Sequence, residues 1–260
     1  MGNLFTGPIN TIDQQLLNIG RAKTGRVGFS SNYSRSSGAG GYASASFGGG
    51  SFAINIGSGS AIASHGKVGW YDPVEEYLQG GASTIDYSKR IRFAISGMMY
   101  MASTNSKIRI VFSGTGNATD APFAEQNGLT VKGFGAEFAL QSSVIQARLI
   151  GFNSAYLTPS SYTTLTNGFG ESASDNRFFA VMIESDGAGN LNLYAGNSST
   201  VPNVVISPTP LLTLTGGPTT AASSNRFGPE IQCVNHTTVT PTSSRAAELQ
   251  SMGSWMLDVQ

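Results

Sequence analysis

A β-hairpin predicted for residues 177–196 constrains the fold of this chain more than any other feature. The segment 185–190 contains Gly187 and Gly189, which can adopt the positive φ angles of a tight reversal. On either side of it, an apolar side chain occupies every second position, which is the period of a strand with one buried face. These apolar positions are Phe179, Val181 and Ile183 before the turn, and Leu191, Leu193 and Ala195 after it.

Further short strands are predicted along the rest of the chain after residue 70. Turn clusters such as residues 113–117, 158–161 and 215–218 separate them, and no long helical pattern intervenes. About ten short strands joined by turns indicate an all-β fold, an antiparallel β-sandwich. Besides the hairpin, the predicted strands are residues 91–95, 108–112, 136–140, 144–152, 201–206, 211–214, 230–239 and 254–259.

The N-terminal quarter has a different composition. Residues 24–64 are rich in Gly, Ser and Ala with isolated aromatic residues, so this segment alone buries too little apolar area to offset its ordering entropy. We therefore expect an extended N-terminal arm over residues 1–65 that docks on a partner or another copy, with the sandwich domain over residues 66–260. A flexible linker is the alternative. Residues 14–71 hold no acid, and the cations expected to anchor the arm are Arg21, Lys23, Arg26 and Arg35.

The composition argues against several classes of protein. Only 12% of the residues are charged and the formal net charge is zero, so the surface is expected to be rich in hydroxyl and amide groups. Cys233 is the single cysteine, which excludes an intrachain disulfide. No apolar run approaches the ~20 residues of a membrane span. We expect no membrane association and no role in nucleic-acid binding.

Few residues are suited to catalysis or to holding a cofactor. The chain has two histidines, and Cys233 with His236 offers two metal ligands where a structural zinc site needs four. Glu184 and Asp186 form a close pair of carboxylates, as glycoside hydrolysis requires, but their place at a strand end and turn favours solvated acids. Glu137 is no stronger a candidate. The sequence thus predicts a protein that is not an enzyme, with no cofactor and no metal.

Two sets of residues are candidates for binding. Arg90, Arg92, Lys107 and Arg109 come from consecutive predicted strands and would share one face if those strands pair, forming a row for an acidic neighbour or an anionic glycan. A solvated outer face is the alternative. A second set of aromatic residues lies near turns and is suited to stacking on sugars, with core or interface packing as the alternative. This set is Trp70, Tyr71, Tyr156, Tyr162 and Trp255.

Residues 142–148, 178–183 and 189–196 resemble the laminin-G-like or concanavalin A-like jelly roll. In that family a strand ending in an Asp-Gly turn leads into Leu-Tyr-x-Gly or Leu-Tyr-x-Asn-Gly, and residues 193–196 match the shorter form. The calcium- and sugar-binding acids of the family are not recognisable here. The wider composition, rich in Gly, Ser, Thr and Asn and nearly free of cysteine, resembles structural proteins of tailed-bacteriophage virions.

These resemblances imply a non-enzymatic virion component, a capsid decoration or head- or tail-fibre protein anchored by its N-terminal arm. Its expected partners are other virion proteins and copies of itself, as a homotrimer, and its expected location is the virion. The alternative hypothesis is a carbohydrate-binding module that recognises a receptor on the host surface. A third hypothesis, a polysaccharide-degrading enzyme, requires paired carboxylates in a cleft.

Overall fold

A computed structural model describes ten stretches of the chain: residues 33–38, 40–48, 51–70, 84–114, 132–165, 177–198, 206–223, 227–243, 246–252 and 255–259. They contain seventeen β-strands and, within these stretches, no helix that could cross a membrane. The first eight strands are β1 (Tyr33–Gly38), β2 (Tyr42–Gly48), β3 (Ser51–Gly57), β4 (His65–Trp70), β5 (Thr84–Ile85), β6 (Ile91–Met101), β7 (Ser106–Gly114) and β8 (Gly133–Gln141). The others are β9 (Val144–Phe152), β10 (Thr163–Thr164), β11 (Arg177–Ser185), β12 (Leu191–Ser198), β13 (Leu212–Leu214), β14 (Ala222–Ser223), β15 (Phe227–Asn235), β16 (Ala247–Met252) and β17 (Trp255–Val259).

Two antiparallel sheets form the body of the protein. The seven-stranded sheet has the order β1-β4-β15-β7-β8-β9-β10. The eight-stranded sheet has the order β13-β12-β11-β6-β16-β3-β2, and β17 pairs with β6 beside β16. A small third sheet joins β14 to β5. The prediction of an all-β antiparallel sandwich is confirmed.

Alternating apolar residues from both sheets form one continuous core between them. Ile108, Ile110 and Phe112 of β7 in one sheet are at most 1% exposed, and Phe179 and Val181 of β11 in the other sheet are fully buried in the same core. Burying a side chain of this size contributes about 1.5–3 kcal/mol. The alternation of side chains in the sequence therefore assigned these residues correctly to an inward face.

The predicted hairpin is present. β11 and β12 pair from Phe178↔Ser198 to Ser185↔Leu191, and the turn between them places Gly187 and Gly189 at φ angles of 85° and 91°. The Asp186 carboxylate accepts hydrogen bonds from the backbone N–H groups of Ala188 and Asn190 and from the Asn190 side chain. Burial favours the neutral form of Asp186, but its hydrogen bonds with Asn190 and Ala188 outweigh burial and lower the pKa of this carboxyl.

Other predicted elements need correction. Strand 230–239 ends earlier, because β15 finishes at Asn235 and His236 begins a turn. Of the predicted strand 201–206, residues 201–205 lie outside the described stretches and Ile206 is not in a strand.

The predicted arm of residues 1–65 needs correction, because the strands β1, β2 and β3 within it belong to the sandwich. β1 lies in the seven-stranded sheet, while β2 and β3 lie in the eight-stranded sheet beside β16. Ile54 and Ile56 are buried in the core. Residues 1–32, including Arg21, Lys23 and Arg26, lie outside the described stretches.

Gly57 and Gly66 lie where neighbouring strands approach each other closely. A Cβ at Gly66 of β4 would collide with the backbone oxygens of Tyr42 and Gly57, so the two sheets approach each other at glycine positions. A Cβ at Gly57 would meet the ring of Tyr42, its cross-strand partner. Glycines that give this segment the composition of a linker therefore allow the two sheets to approach each other closely.

Candidate functional site

The four cations of the predicted binding row do not share a face. Arg92 lies in β6 of the eight-stranded sheet with Arg90 just before it, whereas Lys107 and Arg109 lie in β7 of the seven-stranded sheet. The predicted row is wrong because it required β6 and β7 to pair, and each pairs with other strands. The alternative of a solvated face also fails, since Arg92 and Arg109 are 1% and 0% exposed.

One pair of cations belongs to a buried network that we call the Glu137 cluster: Glu137, Lys107, Arg109, Arg148 and Tyr162. Glu137 Oε2 accepts a hydrogen bond from Arg109 Nε at 2.7 Å. Glu137 Oε1 accepts bonds from Arg148 Nε at 2.9 Å and from the Tyr162 hydroxyl at 2.6 Å. Lys107 Nζ lies 3.2 Å from the same oxygen. One carboxylate thus binds three cations and a phenol.

Strand register explains how these side chains meet. Arg109 of β7 and Arg148 of β9 are both cross-strand partners of Glu137 in β8, one on each side. They project from the outer face, because the alternate residues Ile108 and Ala136 point into the core. The Arg148 guanidinium lies 4.7 Å from the centre of the Tyr162 ring, a cation–π distance. The cluster therefore links three adjacent strands to the chain that enters β10.

The charges of this cluster fix its protonation state. Burial favours the neutral form of Glu137, but the attraction of Arg109, Lys107 and Arg148 and the Tyr162 hydrogen bond outweigh it and lower the pKa to about 2. Burial, followed by the neighbouring carboxylate, raises the pKa of Tyr162, so this phenol stays a neutral donor. Burial and the two arginines lower the pKa of Lys107 against the attraction of Glu137.

A second network, the Glu184 cluster, lies on the outer face of the eight-stranded sheet: Glu184, Arg90, Arg92, Asn192 and Tyr194. Arg92 Nε donates to Glu184 Oε2 at 2.7 Å, and Arg90 Nε lies 3.8 Å from that oxygen. Asn192 Nδ2 and the Tyr194 hydroxyl donate to Glu184 Oε1 at 3.1 and 3.3 Å. Glu184 is 2% exposed, so the prediction that it is a solvated acid at a strand end is wrong.

Glu137 is not suited to act as a general acid, and it does not form a catalytic pair with Glu184. A general acid at neutral pH needs a raised pKa, whereas that of Glu137 is lowered. The two carboxylates also lie in different sheets, so they do not flank one cleft. Sequence reasoning missed Glu137 and Glu184 as the centres of ion-pair networks.

Cys233 and His236 serve different parts of the structure. Cys233 is buried in the core, and its thiol lies 3.7 Å from the backbone oxygen of Ile56. His236 Nδ1 accepts hydrogen bonds from the backbone N–H groups of Thr238 and Val239 in the turn after β15. Within the described stretches, no group of three or more His, Cys, Asp or Glu residues could hold a metal ion.

The described members of the predicted aromatic set lie on different strands and loops. Trp70 ends β4 in the seven-stranded sheet, Trp255 begins β17 in the eight-stranded sheet, and Tyr71 lies outside the described stretches. Tyr162 belongs to the Glu137 cluster, where Arg148 covers one ring face. Tyr156 is exposed to 37%, as expected of a residue that stacks on a sugar.

Tyr156 stands on a well-supported loop after β9. Its ring meets that of Phe152 edge to face, with centres 5.1 Å apart and planes at 88°. Leu157 N donates to Gly151 O at 3.0 Å, and Asn153 N donates to Ala155 O at the same distance. These contacts fix the loop and leave the phenol ring at the surface.

Three loops meet at this end of the sandwich, which we call the Tyr156 end: residues 153–157, 186–190 and 215–219. Gly217 N donates to Gly189 O at 2.9 Å, which joins the second loop to the third. Asn153 Nδ2 lies 3.5 Å from the oxygens of Gly216 and Gly217 and approaches the third loop from the first. Ser154, Thr215 and Thr219 add exposed hydroxyl groups.

Comparisons with known proteins do not assign the chain to a family. No family model matches it, and no curated protein matches it. Among solved structures it is similar to a legume lectin-like domain from Entamoeba histolytica, with 9% identity over 88% of this chain and 89% of that one, at a TM-score of 0.48.

Two further structures have the same kind of similarity. The exoplasmic/lumenal domain of VIP36, in a form bound to Ca²⁺ and Man3GlcNAc, is 8% identical over 87% of this chain and 83% of that one, at a TM-score of 0.42. The binding domain of botulinum neurotoxin serotype G is 10% identical over 88% of this chain and 44% of that one, at a TM-score of 0.43. At identities and TM-scores this low, we assign neither a family nor a ligand from these structures.

Proposed function

We propose that this protein is a non-enzymatic carbohydrate-binding module whose ligand contacts the Tyr156 end. The exposed ring of Tyr156 carries the proposal. Among the large apolar side chains whose burial the structure describes, the exposed ones are Ile62, Tyr156 and Val239, and Tyr156 is the aromatic one. An aromatic ring held at the surface offers an apolar face for the C–H groups of a sugar ring, and its hydroxyl offers a polar edge.

The surroundings of Tyr156 support the same ligand class. Amide and hydroxyl groups of Asn153, Ser154 and Thr215 lie on the same or neighbouring loops and suit the hydroxyl groups of a neutral sugar. Binding residues are commonly carried on loops that a rigid scaffold positions. The low share of charged residues in the chain also favours a neutral ligand over a polyanion.

A glycan array with the purified full chain tests the proposal. We expect retention of a defined set of glycans and at least about a tenfold loss of affinity in Tyr156→Ala, which is typical of an aromatic anchor. Val239→Ala is the matched control, because Val239 is exposed to 43% at the opposite end of the sandwich. An array without binding, or equal losses in both variants, would contradict the proposal. Release of sugars from a bound polysaccharide would favour the hydrolase hypothesis instead.

A virion structural component is the second candidate, in a narrower form than the sequence suggested. Because the strands β1, β2 and β3 belong to the two sheets, we restrict the proposed docking arm to residues 1–32. The cations at Arg21, Lys23 and Arg26 and the absence of acids after Asp13 in this segment favour an acidic docking surface. Deleting residues 1–32 should abolish attachment to virus particles without changing the circular dichroism of the sandwich. Attachment of the truncated protein would refute the arm.

A further inference from the structure

The third loop of the Tyr156 end belongs to a segment with little regular structure of its own. Residues 215–221 connect β13, which has three residues, to β14, which has two residues and pairs with β5. Gly216 and Gly217 are adjacent in this segment, and Gly216 has a φ angle of 86°. Glycine loses more backbone entropy on ordering than any other residue, and the short flanking strands supply few hydrogen bonds. The position of the segment therefore depends on contacts with other parts of the chain.

Residues 217–219 of this segment contact the second loop of the Tyr156 end. Gly217 N donates to Gly189 O at 2.9 Å. An added Cβ at Gly217 would come within 2.7 Å of the Leu191 side chain, and one at Gly189 would lie 3.1 Å from the Thr219 methyl group. The second and third loops therefore stay in contact as long as the segment 215–221 keeps this position.

The ammonium group of Lys132 holds the segment from its other end. Lys132 Nζ donates a hydrogen bond to the Thr220 hydroxyl, and it lies 3.5 Å from Thr220 O and 3.3 Å from Ala221 O. An ammonium group has three donors, and these contacts direct all of them to two adjacent residues. Hydrogen bonds from a charged donor are roughly twice as strong as those between neutral groups.

Lys132 is itself fixed by the core of the sandwich. It directly precedes β8, and its backbone oxygen accepts a hydrogen bond from the Tyr87 hydroxyl at 2.9 Å. Tyr87 is fully buried, and its ring meets that of Phe134 edge to face, with centres 6.3 Å apart. Lys132 therefore connects a firmly packed part of the seven-stranded sheet to a segment that needs support.

We propose that Lys132 is a positioning residue for ligand binding at the Tyr156 end, because its ammonium group fixes residues 215–221 before a ligand arrives. This inference rests on the proposed carbohydrate-binding function. Lys132 acts through Thr220 and Ala221 and not on the ligand itself. When the segment is fixed in advance, binding carries no cost for ordering it. Without the ammonium group, part of the binding free energy orders the segment and the affinity falls.

The test compares Lys132→Met with Lys132→Arg in the full chain. Methionine keeps an apolar stem and removes the donors, whereas arginine keeps the charge and donors in a planar arrangement. In Lys132→Met we expect hydrogen exchange at the Gly217 amide to be about tenfold faster, and dissociation constants on the glycan array used for Tyr156→Ala to be about tenfold higher. Lys132→Arg should recover part of both effects. Urea denaturation verifies that the variants are folded.

Lys89→Met is the matched control, since Lys89 is exposed and its backbone lies beside Gly187 of the second loop. It should change neither exchange at Gly217 nor affinity. Equal losses of affinity in Lys132→Met and Lys89→Met would overturn the inference, because the loss of a positive charge at this end would then explain both.

The two measurements separate this inference from the proposed function. An array that retains no glycan would refute the proposed function, and the exchange rates alone would then decide whether Lys132 fixes the segment. Unchanged exchange at Gly217 in Lys132→Met would overturn the inference even if glycans bind. Faster exchange with unchanged affinity would overturn it as well, because Lys132 would then stabilise the segment without preparing the site.

Discussion

Each outer face of the sandwich carries a cluster around one buried carboxylate, and the two clusters bind that carboxylate with different numbers of cations. In the Glu184 cluster, one fully buried arginine and one partly exposed arginine bind the carboxylate, and two neutral side chains complete its hydrogen bonds. In the Glu137 cluster, three cations converge on one carboxylate. Removing the carboxylate therefore leaves a larger uncompensated charge in the second case. The comparison predicts that Glu137 is the more sensitive position.

Replacing Glu137 with Gln should have the largest effect. The variant keeps the side-chain volume but leaves the buried Arg109 and the largely buried Lys107 and Arg148 close together without a counter-charge. Breaking a buried ion pair in this way costs about 3–5 kcal/mol. The free energy of unfolding, measured by urea denaturation, gives this cost directly. Because Glu137→Gln can prevent folding, Glu137→Asp provides a second measurement: it keeps the charge and should recover part of the loss.

Acid should lower the free energy of unfolding of the wild-type protein by a similar amount. The folded-state pKa of Glu137 is about 2 and its ordinary value is 4.5, so this group binds more protons in the unfolded chain between these values. Its stabilisation is complete above pH 4.5 and is lost as the pH falls towards 2. The shift corresponds to about 3 kcal/mol. Glu137→Gln should flatten this part of the stability profile, whereas an unchanged slope would show that other carboxyl groups cause it.

Glu184→Gln should cost less, about 2 kcal/mol, because Arg90 is 31% exposed and water can replace part of its attraction to the carboxylate. The same denaturation experiment measures it. A loss equal to or greater than that of Glu137→Gln would contradict the comparison between the two clusters.

The strands of both sheets were largely predictable from the sequence because burial follows a period of two in them. The hairpin of β11 and β12 is the clearest case. The N-terminal strands were not predictable by that rule. In β2 the alternating positions hold mainly serine and alanine, which have little contrast in hydrophobicity, and β1 holds mainly serine. The glycines needed for close approach of the sheets also give this segment the composition of a linker.

The charge clusters were only half predictable. Alternation assigned Arg92 and Arg109 to outer faces, but it could not give the sheet to which each strand belongs, since that depends on long-range pairing. One signal in the sequence could have identified the two carboxylates. Glu137 and Glu184 occupy outward positions of strands whose other outward positions are apolar, such as Ala139 and Met182. A charge among apolar outward residues indicates a covered face, where it needs a partner of opposite sign.

The smallest of the predicted effects separates the two tyrosines that bind these carboxylates. Tyr162→Phe removes a 2.6 Å hydrogen bond to Glu137 and should cost about 1.5 kcal/mol, the lower end for a bond to a charged acceptor, because three cations still bind the carboxylate. Tyr194→Phe is the matched control: its hydroxyl lies 3.3 Å from Glu184 and should contribute about 0.5 kcal/mol. Because the Tyr162 bond also helps to lower the pKa of Glu137, the loss of stability in acid should still begin near pH 4.5 in Tyr162→Phe but be smaller and end at a higher pH, and it should stay unchanged in Tyr194→Phe. If Tyr194→Phe costs as much as Tyr162→Phe, bond length and local charge do not set the difference between the clusters.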